Sequence, residues 1–290
     1  MFDFKGKTAF VTGGASGIGH AIARRLATEG CKVAMADVDQ SRLASALDGF
    51  PGEAMDVRLD VRDAEAWRDA KAAVEQKLGP VSVLINCAGI MDNPAVPMPE
   101  RGLVDYPFDQ WDRMIDISLT GIAYGIMTFG RDMRERRLGH IVNTSSTQGL
   151  IPTAGVAAYS ASKCGVVGLS EAVRDELSFY GVGVSVLFPG MTATRLASNA
   201  AKRDGISNDR LTETMPGLDP AVTAAMVVDA INNNKLYILT HGEYRKFFED
   251  RCMRMVAAFT EVPTSPGYDP AKPLPGTREW ANNPAMWGFV

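Results

Sequence analysis

The sequence predicts an α/β protein with a doubly wound, mostly parallel sheet. Short apolar runs rich in β-branched residues alternate with longer segments of helical period, the rhythm of βαβ units. Runs such as VSVLIN and VGVSVLF are apolar almost without a break, as strands are when helices cover both faces of a sheet. Size sets the third constraint. A chain of 290 residues, 46% hydrophobic and 22% charged, can bury one large core. One catalytic domain is therefore expected over residues 1–260, followed by an extended proline-rich tail over 261–290.

The expected strands are residues 7–12, 32–37, 81–86, 140–145, 182–188 and 236–240. Helical period fills the gaps at 17–29, 64–78, 111–137, 157–180 and 220–232, the last with Pro220 at its start, where a missing N–H is harmless. Two long loops interrupt the rhythm, 91–107 and 191–219. Both follow strands, and loops beyond the carboxyl ends of parallel strands carry ligand chemistry, so they are candidate substrate walls.

Charge and cysteine usage exclude several function classes. Lys plus Arg is 30 against 34 Asp plus Glu, a net charge of −4, with no basic block to neutralise a phosphate backbone, so nucleic acid is not an expected partner. Cys31, Cys87, Cys164 and Cys252 are scattered, and His20, His140 and His241 are far apart, so neither a disulfide framework nor a metal site is expected. There is no signal-like start and no apolar run of about 18 residues, which gives a cytoplasmic protein with no membrane partner as the expectation.

The residues 12–19, TGGASGIG, join the first strand to the first helix. Backbone N–H groups and the positive end of a helix dipole would there face a pyrophosphate. Gly13 permits the tight turn, Gly17 the close approach of ligand, and Gly19 the packing of helix on strand. Asp37 ends the second strand 18 residues after Gly19, where a carboxylate can accept from both hydroxyls of an adenosine ribose. Positions 16 and 38 hold Ser16 and Val38 rather than Arg or Lys, so a 2′-phosphate would meet uncompensated negative charge. The expected cofactor is NAD.

Tyr159 and Lys163 are four apart on an expected helix and share a face. An ammonium beside a phenol, with an oxidised nicotinamide ring, would hold its pKa well below the usual value of about 10 and let Tyr159 act as general base on an alcohol or general acid on a ketone. A second Tyr-x-x-x-Lys, Tyr268 to Lys272, has Pro270 between its members, which disfavours the helix that would align them. A strand-end hydroxyl 13 residues before Tyr159, Ser146, can polarise the substrate oxygen. Ser145 is its rival, since neighbouring residues on an extended strand face opposite ways.

The string TGGASGIG, Asp37, Asp60-Val61, Asn86-Cys87-Ala88-Gly89, Ser146, Tyr159-x-x-x-Lys163 and Pro189-Gly190 together resemble, in order and spacing, the short-chain dehydrogenase/reductase family over residues 5 to about 240. The resemblance implies a single-domain Rossmann-type fold with a seven-stranded parallel sheet, usually a homotetramer or otherwise a homo-oligomer such as a dimer. It also implies hydride transfer between nicotinamide and a small-molecule secondary alcohol or ketone. It selects Ser146 over Ser145. It makes Lys163 a holder of the nicotinamide ribose, has Asp60 and Val61 contact adenine, and has Thr192 and Thr194 engage the carboxamide end. Ser16, Ile18, Asn86, Ala88, Gly89, Pro189 and Gly190 complete the implied cofactor site.

Two positions depart from the family pattern. Ser118 stands where the family has a catalytic, helix-distorting asparagine, and Cys87 where Asn-Asn-Ala-Gly has its second asparagine. A serine can still hold the water that leads to the lysine. The departure also motivates an alternative, a catalytically impaired dinucleotide-binding sensor or scaffold. Met91, Met98, Leu103, Tyr106, Met191, Leu196, Leu211 and Met215 populate the two loops, an apolar set suited to a bulky aromatic or alicyclic alcohol. The segment VVDAINNNKLYILTHGEYRKFFEDR resembles the corresponding part of dehydrogenases that oxidise the benzylic (Cα) alcohol of lignin-derived aryl ethers. Its Phe247 and Phe248, with Met253 and Met255, are expected on a further helix.

Overall fold

Seven parallel strands form one sheet in the order β3-β2-β1-β4-β5-β6-β7. They are β1 (Thr8–Thr12), β2 (Lys32–Asp37), β3 (Ala54–Arg58), β4 (Val81–Asn86), β5 (Gly139–Thr144), β6 (Val182–Phe188) and β7 (Tyr237–Leu239). This computed structural model describes residues 1–94, 96–97, 100–205, 217–260, 262–267, 269 and 271–272. The helices are α1 (Gly17–Thr28), α2 (Gln40–Leu47), α3 (Ala64–Leu78), α4 (Phe108–Ile115), α5 (Gly121–Arg136), α6 (Ala157–Ser178), α7 (Leu196–Arg203), α8 (Pro220–Asn232) and α9 (Arg245–Ala257). By its contacts the chain divides into two units, Met1–Gly242 and Glu243–Val290.

Pleating sends neighbouring strand residues into separate cores on the two faces of the sheet. Phe10, Leu84, Ile141 and Val184 join Trp67 of α3 and Phe129 of α5 in one. Ala9, Val33, Val83 and Val142 join Leu26 of α1 and Val227 of α8 in the other. Phe10 lies 5.0 Å from Phe129 and 5.6 Å from Trp67 between ring centroids, a fully buried aromatic cluster. Each such ring contributes about 1.5–3 kcal/mol by leaving water. His140 belongs to the sheet interior, its Nε2 2.8 Å from Ser185 Oγ, and burial pushes its pKa down to about 3.

Four elements differ from the sequence expectation, each for a local reason. β3 was not among the expected strands because it is an edge strand, Val57 being its one buried residue, so it lacks the continuous apolar run. The helix expected over 111–137 is two helices, α4 and α5, joined by a π-helical turn at Asp116–Thr120. α2 and α7 have eight residues each, too short for a clear period. In the second unit α9 contains the expected Phe247, Phe248, Met253 and Met255, and none of its residues is buried.

The strand order reverses between β1 and β4, and the carboxyl ends of β1, β4, β5 and β6 are neighbours there. Such a switch point is where an open parallel sheet leaves a crevice for ligand. Thr12, Asn86, Thr144 and Phe188 end those four strands, and the chemistry-bearing motifs follow each of them.

Candidate active site

The turn after β1 is shaped by three glycines. Gly13 (φ 65°) has no room for a side chain, since a Cβ would lie 3.0 Å from Ala88 N and 3.1 Å from Cys87 C. Gly17 (φ 55°) opens α1 and faces Thr194, whose methyl group would be 3.2 Å from a Cβ. A Cβ on Gly19 would collide with the Gly13 carbonyl. Ser16 is the N-cap of α1, yet its hydroxyl makes no capping hydrogen bond, leaving the first-turn amides, including that of Ile18, for an anion. A cavity of about 720 Å³ runs beside the turn, lined by Ser16, Gly17, His20, Arg24, Thr194 and Arg195.

Asp37 ends β2 next to this turn: Gly14 N donates to Ala36 O at 3.1 Å, and Asp39 N donates to the Asp37 carboxylate at 3.2 Å. Burial pushes the Asp37 carboxyl above its usual range, opposed by backbone amides that include Ala15 and by the charge of Arg42. Asp60, at the end of the β3 segment, is gripped by Arg62 at 2.6 Å, and that bond holds its carboxyl below the usual range. Val61 turns inward: it packs against Gly121, and its carbonyl accepts from Trp67 Nε1 at 3.0 Å.

The catalytic candidates meet where β5 ends. Lys163 is buried on α6; its Nζ donates to Thr144 O at 2.9 Å and stands 5.6 Å from the centre of the Tyr159 ring. Burial pushes the Lys163 pKa down to about 8. Ser146 Oγ faces the Tyr159 phenol, accepts from Gln148 N at 3.2 Å and donates to Pro189 O at 3.5 Å. Ser145 faces the other way and donates to Lys163 O at 2.8 Å, tying β5 to α6. Gly89 closes the group, since a Cβ there would be 3.5 Å from Lys163 Nζ and 3.8 Å from Ser118 Oγ.

Among the chain's own groups, burial dominates at Tyr159 and pushes its pKa up; Ser146 opposes the rise, while Asp92 and Cys87 add to it. The Lys163 amino group stands over the ring, 5.6 Å from its centre, and its hydrogen bond goes to Thr144 O.

A hydroxyl, a phenol and an ammonium grouped at a sheet switch point, beside a glycine turn with free helix amides, suit proton transfer next to a bound dinucleotide. The short chain dehydrogenase family profile matches residues 7–205. The chain belongs to the short-chain dehydrogenase/reductase family. Among its relatives, the 2,5-dichloro-2,5-cyclohexadiene-1,4-diol dehydrogenase LinX of Sphingobium indicum is 36% identical over 197 residues, which cover 67% of this chain and 76% of that one. The C alpha-dehydrogenase of a Sphingobium species is 30% identical over 283 residues, 92% of this chain and 90% of the relative. A solved short-chain dehydrogenase from Burkholderia phymatum in complex with NAD superimposes with a TM-score of 0.79 at 27% identity, covering 94% and 99% of the two chains.

This short-chain dehydrogenase is thus an oxidoreductase acting on alcohols, of a family that binds nicotinamide dinucleotide. Its turn fits that group: the hydroxyl of Ser16 and the first-turn amides of α1 are uncommitted, and a side chain at Gly13 or Gly19 would deform the cradle. The Asn86 side chain also ties the sheet together. Its amide donates to Asn143 Oδ1 at 2.8 Å, and Asn143 donates to Ser170 Oγ at 3.1 Å, a buried chain between β4, β5 and α6. Thr192 Oγ1 lies 3.3 Å from Gly190 O, and Gly190 N donates to His241 Nδ1 at 3.2 Å, fixing the turn after β6.

Ser118 retains the distortion that its departure from asparagine put in doubt. It is fully buried within the π-helical turn Asp116–Thr120, and its Oγ accepts from Ile90 N at 3.4 Å. Sequence reasoning gave no role to Thr12, whose Oγ1 accepts from Cys87 N at 3.0 Å and Ala88 N at 3.1 Å and so holds the Asn-Cys-Ala-Gly turn. Its signal was its place at the head of the glycine string. Asp92 and Arg203 were missed too. The Tyr106 hydroxyl, counted above with an apolar wall, donates to Asp92 at 2.5 Å, and Arg203 holds Met91 O at 3.2 Å and Asp204 at 2.7 Å. The described part of this wall is therefore partly polar. Met98, Leu211 and Met215 of the expected apolar set, and Tyr268 and Pro270, lie outside the described residues. No described helix is long and apolar enough to cross a membrane.

Proposed function

We propose that this protein is an NAD-dependent secondary-alcohol dehydrogenase whose substrate is a bulky cyclic alcohol, aromatic or alicyclic. The observation that carries the reading is the joint placement of Ser146, Tyr159 and Lys163 beside the dinucleotide turn. When bound, the dinucleotide supplies the hydride acceptor. Gly13, Ser16, Gly17, Ile18 and Gly19 would hold its pyrophosphate, Asp37 its adenosine ribose, Asp60 and Val61 its adenine, and the segment from Gly89 through Pro189, Gly190, Thr192 and Thr194 its nicotinamide half. Ser146 Oγ hydrogen-bonds the carbinol oxygen and keeps it against the phenol. Tyr159 takes the carbinol proton as alcohol becomes ketone and returns it in the reverse direction. Lys163, pinned on Thr144 O, keeps a positive charge near the phenol as it ionises.

Preference for NAD rests on the Asp37 carboxylate at the end of β2, with Val38 rather than Arg or Lys following it. The cyclic substrate class is supported by the relative named for a cyclohexadienediol. Exposed apolar side chains on α4 and α5, Phe108 and Met127, and on the edge strand β7, Tyr237 and Leu239, support a homo-oligomer, which light scattering tests. The deciding experiment follows NADH absorbance with NAD or NADP and a panel of aryl, alicyclic, steroidal and polyol secondary alcohols, with Tyr159→Phe as control. Turnover with NAD that the control lacks supports the reading. Faster polyol turnover removes the cyclic-substrate part, and dinucleotide binding without turnover of any alcohol supports the sensor alternative.

A further inference from the structure

The turn after β6 is held from the edge of the sheet, by the imidazole of His241 just beyond β7. The β6–β7 register ends with Phe188 opposite Leu239, and Pro189 has no N–H with which to carry the ladder on. Two side chains take over. Gly190 N donates to Thr240 Oγ1 at 3.3 Å and to His241 Nδ1 at 3.2 Å, and His241 Nε2 stands 3.0 Å from Met191 O. The ring packs against Gly190, where a Cβ would lie 2.8 Å from its Cγ and Nδ1, so glycine at that position is the room for the imidazole. The two backbone partners decide the tautomer. An amide N–H only donates, so Nδ1 is bare, and a carbonyl only accepts, so Nε2 carries the proton. The opposite tautomer would give its Nδ1 proton to Thr240 Oγ1, 2.6 Å away, and turn a bare nitrogen on Met191 O.

Resting on the reading that this turn holds the nicotinamide half of a dinucleotide, we propose that His241 is a positioning residue for that half: its neutral Nε2–H ring clamps Gly190 and Met191 and sets the turn against which the nicotinamide is placed. The clamped turn reaches both parts of the site. On one side Pro189 O accepts from Thr147 N at 3.1 Å and from Ser146 Oγ at 3.5 Å, so the turn abuts the serine. On the other, Met191 O accepts from Leu218 N at 2.9 Å as well as from the ring, and Ala193 N donates to Leu218 O at 3.0 Å. The same carbonyl thereby joins His241 to the segment that carries Thr192 and Thr194, and Thr194 faces Gly17 of the dinucleotide turn. Asp37 and Asp60, read above as holding the adenosine half, stand at the ends of β2 and of the β3 segment, on the other side of β1 in the strand order. Loss of the clamp is therefore felt by the nicotinamide half and not by the adenosine half.

The test is His241→Ala with two probes, NADH and ADP-ribose, the second lacking the nicotinamide ring. Calorimetric titration measures both affinities. The expected result is NADH binding weakened about tenfold with ADP-ribose within about twofold of wild type, as for hydrogen bonds lost at one end of a ligand site. A folded variant that binds NADH as the wild type does, or that loses affinity for both probes alike, overturns the proposal. Should the variant fail to fold, the ring nitrogen spectrum of the 15N-labelled wild type decides, recorded at about pH 8.5, where a free imidazole is neutral, and with the His241 signals assigned by through-bond correlation to its own backbone. A ring with its proton on Nε2 whose signals move more with NADH than with ADP-ribose supports the proposal. A proton on Nδ1, or signals that respond to the two probes alike or to neither, overturns it. A wild type that bound neither probe in the calorimeter would defeat the dinucleotide reading, and this proposal with it, before any variant was compared; one that binds both leaves the variant to speak for His241 alone.

Discussion

The dinucleotide side and the substrate side of this crevice are built by different means. The turn between β1 and α1 is a backbone device: positive φ at Gly13 and Gly17, a Gly19 with no room for a Cβ, and helix amides left open by an N-cap that does not use its hydroxyl. The substrate side is held by side chains reaching across the chain. Arg203 grips Met91 O from 112 positions away, Tyr106 grips Asp92 from 14, and Arg42 of α2 reaches Asn199 of α7 at 3.2 Å across 157. The proposed dinucleotide turn is a short local stretch closed in by Ala88 and Thr194, whereas the proposed substrate wall depends throughout on contacts that no local window contains.

The largest expected effect lies at the seam between the two sides, on Tyr159. Tyr159→Phe should lower kcat by about 10²–10⁴-fold, the usual contribution of a positioned proton donor or acceptor, with dinucleotide affinity within about threefold of wild type. Initial rates and dinucleotide fluorescence measure the two. A variant within tenfold of wild-type kcat would mean that the phenol is not the group that takes the proton.

Gly19→Ala attacks the backbone device alone. Its Cβ would collide with the Gly13 carbonyl, which has no freedom to yield, so a stability loss of about 1–3 kcal/mol and at least tenfold weaker dinucleotide binding are expected. Denaturant melts and a binding titration check both. Retained affinity would break the contrast drawn above, since a glycine position that tolerates alanine is not set by close approach.

Legibility in the sequence followed the same division. Gly13, Gly17, Gly19 and Asp37 stood out by spacing because β1, α1 and β2 follow one another in sequence, although Ala88 and Thr194, which close in on Gly13 and Gly17, come from distant segments, and Tyr159 with Lys163 stood out because a helix puts them on one face. Thr12, Asp92 and Arg203 did not, since each acts on a segment distant in sequence, and a lone Thr, Asp or Arg has many ordinary uses. The same reason hid β3: an edge strand with one buried residue carries no apolar signature. Tyr106 misled in the opposite direction, its ring read as apolar surface while its hydroxyl is held by a buried carboxylate.

Arg203→Met probes the side-chain device with a smaller effect. The arginine is largely buried but shares its charge with Asp204, so its loss loosens the 91–107 loop without touching the glycine turn. A rise of roughly threefold to tenfold in KM for the alcohol is expected, at unchanged dinucleotide affinity, as for the loss of one buried hydrogen-bonded group. Equal weakening toward alcohol and dinucleotide would show the two sides to be one mechanical unit.

The smallest effect is expected at Ser118. In this structure the π-helical turn persists with serine in the place of asparagine, so the distortion does not need the amide. What the hydroxyl does is accept from Ile90 N, at a long 3.4 Å, and so steady the chain just after Gly89. Ser118→Ala should keep that turn and lower kcat by about threefold, the loss of one weak hydrogen bond. Ser118→Asn has to fit a larger side chain into a fully buried position and should leave kcat within tenfold of wild type. A more than tenfold gain in turnover from the asparagine would mean that the native proton path is impaired and would move the protein toward the sensor reading. An unchanged rate would show that a serine, with the backbone bend already in place, is enough.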